Sequence, residues 1–507
     1  MSAQRSPSML RRLPIADATG LRTGARHELP QVFRRGDLIV LGLGVMIGAG
    51  VFSIAGRQAA AVAGPGVVLS FMIAGIASLL AAFCYAELAS TMPTSGSAYT
   101  FTYVIFGEVW AWIIGCALIL EMQLAVAVVA RAWSVYAAQL LGDLGVRLPE
   151  PLAGMVGQSQ GFDLFTLVIV VGLTLLVAMS ARVGLRTLWV IVVAKLLAIG
   201  AVIVLGAVHF DAANIDGVIP APVGPPVAQH GVLTSTVLGA VFGDAHTFGW
   251  LGIFAAAPTI AFAYVGWDLI ATAAEETTDA PRAIPRGMIR SLVLATVLYI
   301  AVAVVMVGLV PYDRMDPAAP LADAFRQVGA GFMVHVINVG AVLGLTTVVL
   351  VLLVGQTRVL FSMARDGLLP RSLAVLSPRY HTPSRATLVT GLVALVLAET
   401  VPVLTLEQLV VIGALFAFLF TAAGVITMRR TMPELPRGFR VPLSPVVPML
   451  SLAATLWLML NLQLMTWLYF AAWMLAGFLA YLAYGRRRSA LAPGAPPRMP
   501  DRGRHRR

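Results

Sequence analysis

The stretch that decides the fold is GLGVMIGAGVFSIAG, residues 42–56, inside the first long apolar segment of the chain. Its centre consists of Gly48, Ala49 and Gly50, and glycine costs a helix about 1 kcal/mol relative to alanine. The stretch therefore predicts a helix that is interrupted near the middle of a membrane. The alternative is an unbroken helix whose small residues let a neighbouring helix pack closely.

A second apolar segment, FAAAPTIAFAYVGWDLIATAAEE at residues 254–276, carries the same kind of interruption. Pro258 lies near its start and Gly266 near its middle. The two segments are five apolar segments apart. Interrupted helices at corresponding positions of two halves are expected in secondary transporters that are built from inverted repeats. An odd number of helices per repeat gives the two halves opposite orientations.

The composition places the whole chain in a membrane. Of the 507 residues, 59% are hydrophobic and 12% are charged, whereas soluble domains are about one-quarter charged. The sequence predicts an all-α integral membrane protein with about twelve spans, because segments of about 20 apolar residues recur and no alternating strands of a β-barrel are visible. The spans lie near residues 38–63, 66–90, 104–130, 162–180, 187–208, 250–274, 288–311, 333–361, 386–401, 405–428, 444–463 and 466–485.

The basic residues that give the net charge of +11 are distributed as expected for the topology of a membrane protein. Arginines crowd both ends of the chain and the loops on the same side, whereas the opposite loops hold only Arg147, Arg314 and Arg326, set among carboxylates. By the positive-inside rule, both termini are predicted to be cytoplasmic in the plasma membrane. This distribution argues against nucleic acid as a partner, and the histidines lack the spacing of a metal site. We predict no cofactor and no enzymatic activity.

The two predicted breaks suit an amino acid. The second half of span 1 begins near Gly50, with free N–H groups that attract a carboxylate. The first half of span 6 ends between Phe262 and Val265, with free carbonyls that can accept hydrogen bonds from an ammonium group. Phe262, Tyr264 and Trp267 are candidates to close over the substrate, or else they only pack.

Four motifs resemble the amino acid, polyamine and organocation transporters, especially the cationic amino acid transporters and their bacterial relatives. They are GLGVMIGAGVFSIAG, CYAELASTMPTSGSAYTFTYVIFGEVWAWIIGCALILE, AFAYVGWDLIATAAEETTDAPRAIPRGM and GLTTVVLVLLVGQTRVLFSMARDGLLP. The resemblance implies ten core helices in two inverted repeats of five, plus two helices at the C-terminal end.

It also implies the substrate contacts and the division of the chain. The substrate carboxylate would meet Ile47, Gly48, Ala49 and Gly50, and the ammonium would meet carbonyls of Phe262, Ala263 and Val265. Many members have Ser or Thr at the position of Ala49, so here the backbone must bind the carboxylate alone. The predicted parts are an arginine-rich N-terminal segment (1–36), repeat 1 (37–210), an extracellular loop (211–249), repeat 2 (250–430), two further helices (431–485) and a disordered basic tail (486–507).

Lys195 is the one lysine of the chain, and it lies in span 5 about 10 Å from the cytoplasmic end at 1.5 Å per residue. One interpretation is a lysine that extends its side chain to the interface. The other is chemical: a buried lysine can release its proton, whereas arginine cannot. In proton-coupled relatives, a lysine of helix 5 resembles Lys195. We predict that Lys195 bridges helix 1 near its break to helix 8 near Thr346 and Thr347.

Other ionisable residues have weaker predicted roles. Glu121 in span 3 either takes part in coupling with Lys195 or only fills a polar pocket, and Asp268 is expected to stabilise the second half of span 6. Glu275 and Glu276 at the cytoplasmic end, near Arg282 and Arg286, are expected to form a gate or interface network rather than to bind substrate. We expect Arg358 to reach the cytoplasmic interface.

These features predict a secondary active transporter that carries neutral or cationic amino acids together with protons. An exchanger without proton coupling remains open, and an ion channel is the alternative from another class. The expected partners are the amino acid, protons and membrane lipid. The oligomeric state is left open.

Overall fold

The computed structural model is all α-helical, and it contains no strand in the residues it describes. This confirms the predicted fold class. The described residues are 10–18, 33–48, 50–146, 148–158, 161–179, 185–215, 217–223, 233–242, 248–315, 319–380 and 382–492.

Within the described residues, eight helical stretches are long and apolar enough to cross a membrane, and one of them, Arg35–Thr91, comprises spans 1 and 2. Shorter apolar helices lie at predicted spans 4 and 11, and a helix of 17 residues lies at predicted span 9. The continuous helices are Val67–Thr91 (span 2), Glu108–Asp143 (span 3), Leu164–Met179 (span 4), Leu185–Val208 (span 5), Ala280–Leu309 (span 7), Gly331–Arg365 (span 8), Ser384–Thr400 (span 9), Val403–Thr431 (span 10), Val446–Leu460 (span 11) and Leu464–Ala480 (span 12).

Span 1 is interrupted within its glycine-rich centre. The helix Arg35–Met46 ends where Ile47 becomes extended, with φ −75° and ψ 92°. Helical structure resumes as wide π-type turns at Gly50–Ile54 and Ala59–Ala63, with Ala55–Gln58 between them. Ala49 lies outside the described residues.

Span 6 is interrupted in the same way. The helix Gly249–Tyr264 ends at an extended Val265, and a short helix, Leu269–Thr272, follows. Gly266 between them has φ +120°, a backbone conformation that is costly for residues other than glycine. The glycines therefore mark both breaks, as predicted from the sequence.

Spans 3 and 8 are long neighbours that run antiparallel beside the breaks. At one end, the indole of Trp133 donates a hydrogen bond to Thr346 Oγ1 over 2.9 Å. At the other end, a Cβ on Gly115 would lie 2.5 Å from the methyl carbon of Met363. Because Gly115 precedes Trp133 while Met363 follows Thr346, the two helices have opposite directions.

The two ends of the described chain meet on one side of the bundle. A guanidinium nitrogen of Arg11 donates to the carbonyl of Arg486 over 3.1 Å. We call this the terminal side and the opposite one the far side. The prediction of disorder from residue 486 is wrong for residues 486–492, because Ser489 and Ala492 are buried against the bundle. The boundaries of the two repeats stay predictions.

Candidate functional site

A small cavity of about 20 Å³ lies between the two breaks and the central parts of spans 3 and 8. A cavity of this size holds about one water molecule, so an amino acid requires a more open arrangement of the helices. The lining side chains carry no polar atoms apart from the thioether of Met46. They belong to Val45, Met46, Gly50, Ala125, Val129, Phe262, Val265, Val348 and Leu352.

The two breaks contact each other directly beside this cavity. A Cβ placed on Gly50 would lie 2.2 Å from the Cβ of Ala263 and 2.5 Å from its Cα. A Cβ on Gly266 would lie 2.3 Å from a methyl carbon of Val45. The absence of side chains at Gly50 and Gly266 thus lets the backbones of spans 1 and 6 approach closely.

The predicted substrate-binding residues divide into two groups in this closed arrangement. Gly50, Phe262 and Val265 line the cavity. Ala263 contacts Gly50 instead. Ile47 and Gly48 lie in the break itself, and the Ile47 N–H donates to Leu43 O over 3.0 Å. The structure describes no position for Ala49.

Two predicted ammonium acceptors already have hydrogen-bond donors. The Phe262 carbonyl accepts from the N–H of Val265 over 3.1 Å. The Ala263 carbonyl accepts from the Tyr299 hydroxyl over 3.0 Å, and the same hydroxyl donates to Met46 O over 2.5 Å. Tyr299 of span 7 therefore ties both breaks together. The sequence analysis missed it; its one visible signal was a hydroxyl in an otherwise apolar span.

Lys195 is fully buried, and it joins span 5 to spans 1 and 8. Its ammonium donates to the carbonyls of Gly44, at 2.7 Å, and Ile47, at 3.0 Å, just before the break of span 1. It also contacts Thr347 Oγ1 of span 8 at 3.2 Å. Since the side chain points inward, the alternative of a lysine that reaches the interface is wrong.

Thr346, the other predicted partner of Lys195, faces elsewhere. Its hydroxyl donates to Val342 O over 2.7 Å and accepts from the Trp133 indole. Neighbouring residues of a helix point about 100° apart, because the helix has 3.6 residues per turn. Only Thr347 can therefore face Lys195.

Glu121 is buried in span 3, one helical turn from the cavity residue Ala125, towards the terminal side. Its Oε2 atom has no hydrogen-bond partner within the described part of the chain. Its electrostatic neighbour in span 6 is Asp268. The structure thus associates Glu121 with span 6.

Asp268 and the predicted aromatic residues have mainly structural contacts. Asp268 Oδ1 accepts a hydrogen bond from Gly266 N at 3.1 Å, within the break of span 6. Trp267 stacks on Phe418, with ring centroids 4.9 Å apart. Tyr264 donates to Phe71 O over 2.9 Å. Of the three predicted aromatic residues, only Phe262 lines the cavity.

Two ion pairs close the terminal side between spans 6 and 8. Arg358 contacts Glu276 at 2.6 Å and Arg365 contacts Glu275 at 3.5 Å. The sequence analysis had placed Arg282 and Arg286 beside these carboxylates and Arg358 at the interface. It was wrong on both points, because residues of span 8, some 80 to 90 positions along the chain, are the spatial neighbours.

The two carboxylates differ in their electrostatics. Burial favours the neutral form of Glu275, but the Arg365 charge and hydrogen bonds from Ser95 outweigh it, so the pKa of Glu275 lies below its ordinary value. Burial raises the pKa of Glu276, and the neighbouring Arg358 offsets this only in part. Glu276 is therefore the first of the two to become neutral as the pH falls.

The far side is closed by a different pair. Arg57, in the second half of span 1, forms an ion pair with Glu407 at the start of span 10. The Glu407 side chain is only 3% exposed. Ionic contacts between different pairs of spans thus lie on both sides of the bundle.

Comparisons with known proteins agree with this architecture. A family model described as amino acid permease matches residues 36–484. A methylthioribose transporter of Bacillus subtilis is 38% identical over 90% of this chain and 93% of that protein. A branched-chain amino acid permease of the same organism is 38% identical over 96% of this chain and 99% of that protein.

A plant relative extends the comparison. A vacuolar cationic amino acid transporter of Arabidopsis thaliana is 35% identical over 84% of this chain and 64% of its own length. These relatives are named as transporters and permeases, and none as an enzyme. With the family model covering most of its length, the chain belongs to the amino acid permease family of the amino acid, polyamine and organocation transporter superfamily.

Proposed function

We propose that this permease is a proton-coupled secondary transporter in the plasma membrane, with its terminal side in the cytoplasm. Its substrate is an amino acid that binds at the breaks of spans 1 and 6. The observation that carries the proposal is the position of Lys195. A single buried ammonium holds the backbone of span 1 just before its break and binds span 8 at the same time.

The chemistry of lysine supports the coupling. The protonated ammonium donates to the carbonyls of Gly44 and Ile47, and these contacts weaken when the proton leaves. The Gly44 carbonyl belongs to the last turn of the first half of span 1, and the Ile47 carbonyl lies where the break begins. Protonation of Lys195 therefore fixes the end of this half-helix, and deprotonation releases it, which links the proton to the shape of the substrate site.

The cavity favours a substrate with a neutral, apolar side chain. The side chains that line it from spans 1, 3, 6 and 8 are hydrocarbon apart from the Met46 thioether, and a charged side chain would lose its hydration there. The relative named for branched-chain amino acids agrees with this inference. Similarity alone does not choose the substrate, since the transporter named for methylthioribose is equally similar.

A cationic amino acid is the second candidate. It is favoured by Glu121, whose Oε2 lacks a hydrogen-bond partner in the described chain and lies one turn from the cavity. A long cationic side chain that extends from the breaks towards the terminal side would meet this carboxylate.

The ion pairs on the two sides of the bundle are the gates of the proposed alternating-access cycle. The pair Arg57 with Glu407 closes the far side, and the pairs of Glu275 and Glu276 with span 8 close the terminal side. Transport requires that one closure opens while the other remains intact. The present arrangement, with both closed and room for one water molecule, corresponds to an occluded state.

The test is uptake into liposomes that contain the purified protein. We expect an inward proton gradient to drive accumulation of radiolabelled valine or leucine, with unlabelled aliphatic amino acids as strong competitors and arginine as a weak one. Uptake that requires internal amino acid and ignores the gradient would establish an exchanger instead. A flux that does not saturate would indicate a channel.

The terminal-side closure should respond to acid through Glu276. The reporter is Ser362→Cys with both native cysteines replaced by alanine, because Ser362 is buried between Arg358 and Arg365 on span 8. Glu276→Gln breaks one ion pair, so N-ethylmaleimide should label the variant about threefold to tenfold faster than its parent at neutral pH.

This ratio of labelling rates should fall towards one as the pH is lowered. Glu276 has a raised pKa, so acid neutralises it in the parent and opens the same contact. A ratio that stays constant from neutral to acidic pH would contradict the assignment. Comparing variant and parent at each pH cancels the pH dependence of the thiol itself.

A further inference from the structure

Glu108, at the start of span 3 on the terminal side, is a fully buried carboxylate with an unusual set of donors. Four side chains from separate parts of the chain bind its two oxygens. They are Arg11 at 3.1 Å, Tyr103 at 3.0 Å, Tyr481 at 2.9 Å and Ser489 at 2.5 Å. We call Glu108 and these four residues the terminal clasp.

The clasp joins the two ends of the described chain to the membrane bundle. Arg11 contributes its backbone as well, since the N–H of Glu108 donates to Arg11 O over 2.9 Å. The C-terminal end reaches the same carboxylate because span 12 continues as a wide π-type turn, Tyr481–Gly485, and then as Arg486–Arg488. Tyr481 and Ser489, eight residues apart, thus bind the same group.

The segment that follows span 12 also contacts the end of span 8. The N–H of Ala490, next to Ser489, donates to Asp366 O over 2.9 Å. A Cβ on Gly367 would lie 2.5 Å from the carbonyl of Arg488, so the two backbones touch. Asp366 directly follows Arg365, which pairs with Glu275 in the terminal-side closure.

We propose that Glu108 is a positioning residue for the terminal-side closure, and that it acts through the segment 489–490 on Arg365. The buried carboxylate fixes Ser489, Ala490 fixes Asp366, and the end of span 8 is thereby held where Arg365 meets Glu275. The chain after span 12 is thus part of the gate that faces the cytoplasm. This inference rests on the proposed function, in which the two ion pairs of spans 6 and 8 form that gate.

The test uses the Ser362→Cys reporter in the full-length protein, in lipid nanodiscs at neutral pH. Ser489→Ala removes one hydrogen bond from Glu108 without leaving a charge unpaired, and Glu108→Gln removes the carboxylate charge at almost constant volume. We expect N-ethylmaleimide to label both variants about threefold to tenfold faster than the parent. The matched control is Arg35→Gln, which breaks an exposed ion pair with Asp279 and should leave the rate unchanged.

A gate variant separates failure of this inference from failure of the proposed function. If Arg365→Gln raises labelling but folded Ser489→Ala and Glu108→Gln proteins behave like the parent, the clasp does not position the gate and the inference is overturned. If Arg365→Gln itself leaves labelling unchanged, its pair with Glu275 is not part of a gate, and this inference falls together with that part of the proposed terminal-side closure. If Glu108→Gln does not fold, Ser489→Ala alone decides.

Discussion

Lys195→Met should abolish proton-driven accumulation, whereas we expect binding of the amino acid to survive. Methionine matches the length of lysine and avoids a void, but it cannot donate to Gly44 or Ile47. Hydrogen bonds from a charged group contribute about 1.5–3 kcal/mol each, so the loss of these contacts should reduce gradient-driven accumulation by at least about tenfold. The measurement is uptake of labelled valine into liposomes with and without an inward proton gradient, beside a binding assay.

Two adjacent threonines provide the controls for this prediction. Thr347→Val removes a side chain that contacts the ammonium and should weaken coupling about threefold to tenfold. Thr346→Val changes the neighbouring residue, whose hydroxyl contacts Val342 and Trp133 instead, and should retain the proton dependence. Full accumulation and an unchanged pH profile in Lys195→Met would refute the role of the lysine.

The sequence predicted the architecture because its signals are local. The apolar segments indicate where each helix crosses the membrane. Gly48, Gly50 and Gly266 indicate the breaks, because glycine lowers the stability of a helix. The depth of Lys195 within its span was also readable. The expected contacts with spans 1 and 8 came instead from the resemblance to proton-coupled relatives, in which a lysine of helix 5 resembles Lys195.

The remaining features depend on contacts between distant parts of the chain. The sequence around Glu275 suggested Arg282 and Arg286, which follow it within eleven residues, whereas its actual partner is Arg365. Whether Thr346 or Thr347 faces Lys195 depends on the rotation of span 8 about its axis, and an apolar helix exposed to lipid on one side gives little information about that angle. Arg-rich ends indicate topology, but they do not reveal that Ser489 binds the buried carboxylate of Glu108.

Gly50→Ala should stop transport by preventing the contact between the two breaks. The added Cβ would lie 2.2 Å from the Cβ of Ala263 and 2.5 Å from its Cα, well inside van der Waals contact. Overpacking of a tight interior typically costs about 1–3 kcal/mol, and here that cost falls on the occluded state alone. We therefore expect the maximal rate of valine uptake to fall about tenfold or more, with a smaller change in the thermal stability of the protein.

A second substitution and a matched glycine make this prediction specific. Ala263→Gly in the Gly50→Ala background removes the contact between the two Cβ atoms but leaves the Cα of residue 263 in place, so we expect partial recovery of uptake. Gly200→Ala in span 5 adds a methyl group where no atom lies within 4 Å, and uptake should remain at the wild-type rate. Equal rates for Gly50→Ala and Gly200→Ala would mean that spans 1 and 6 never approach each other as closely during transport as they do here, and the occluded state would have to form by another movement.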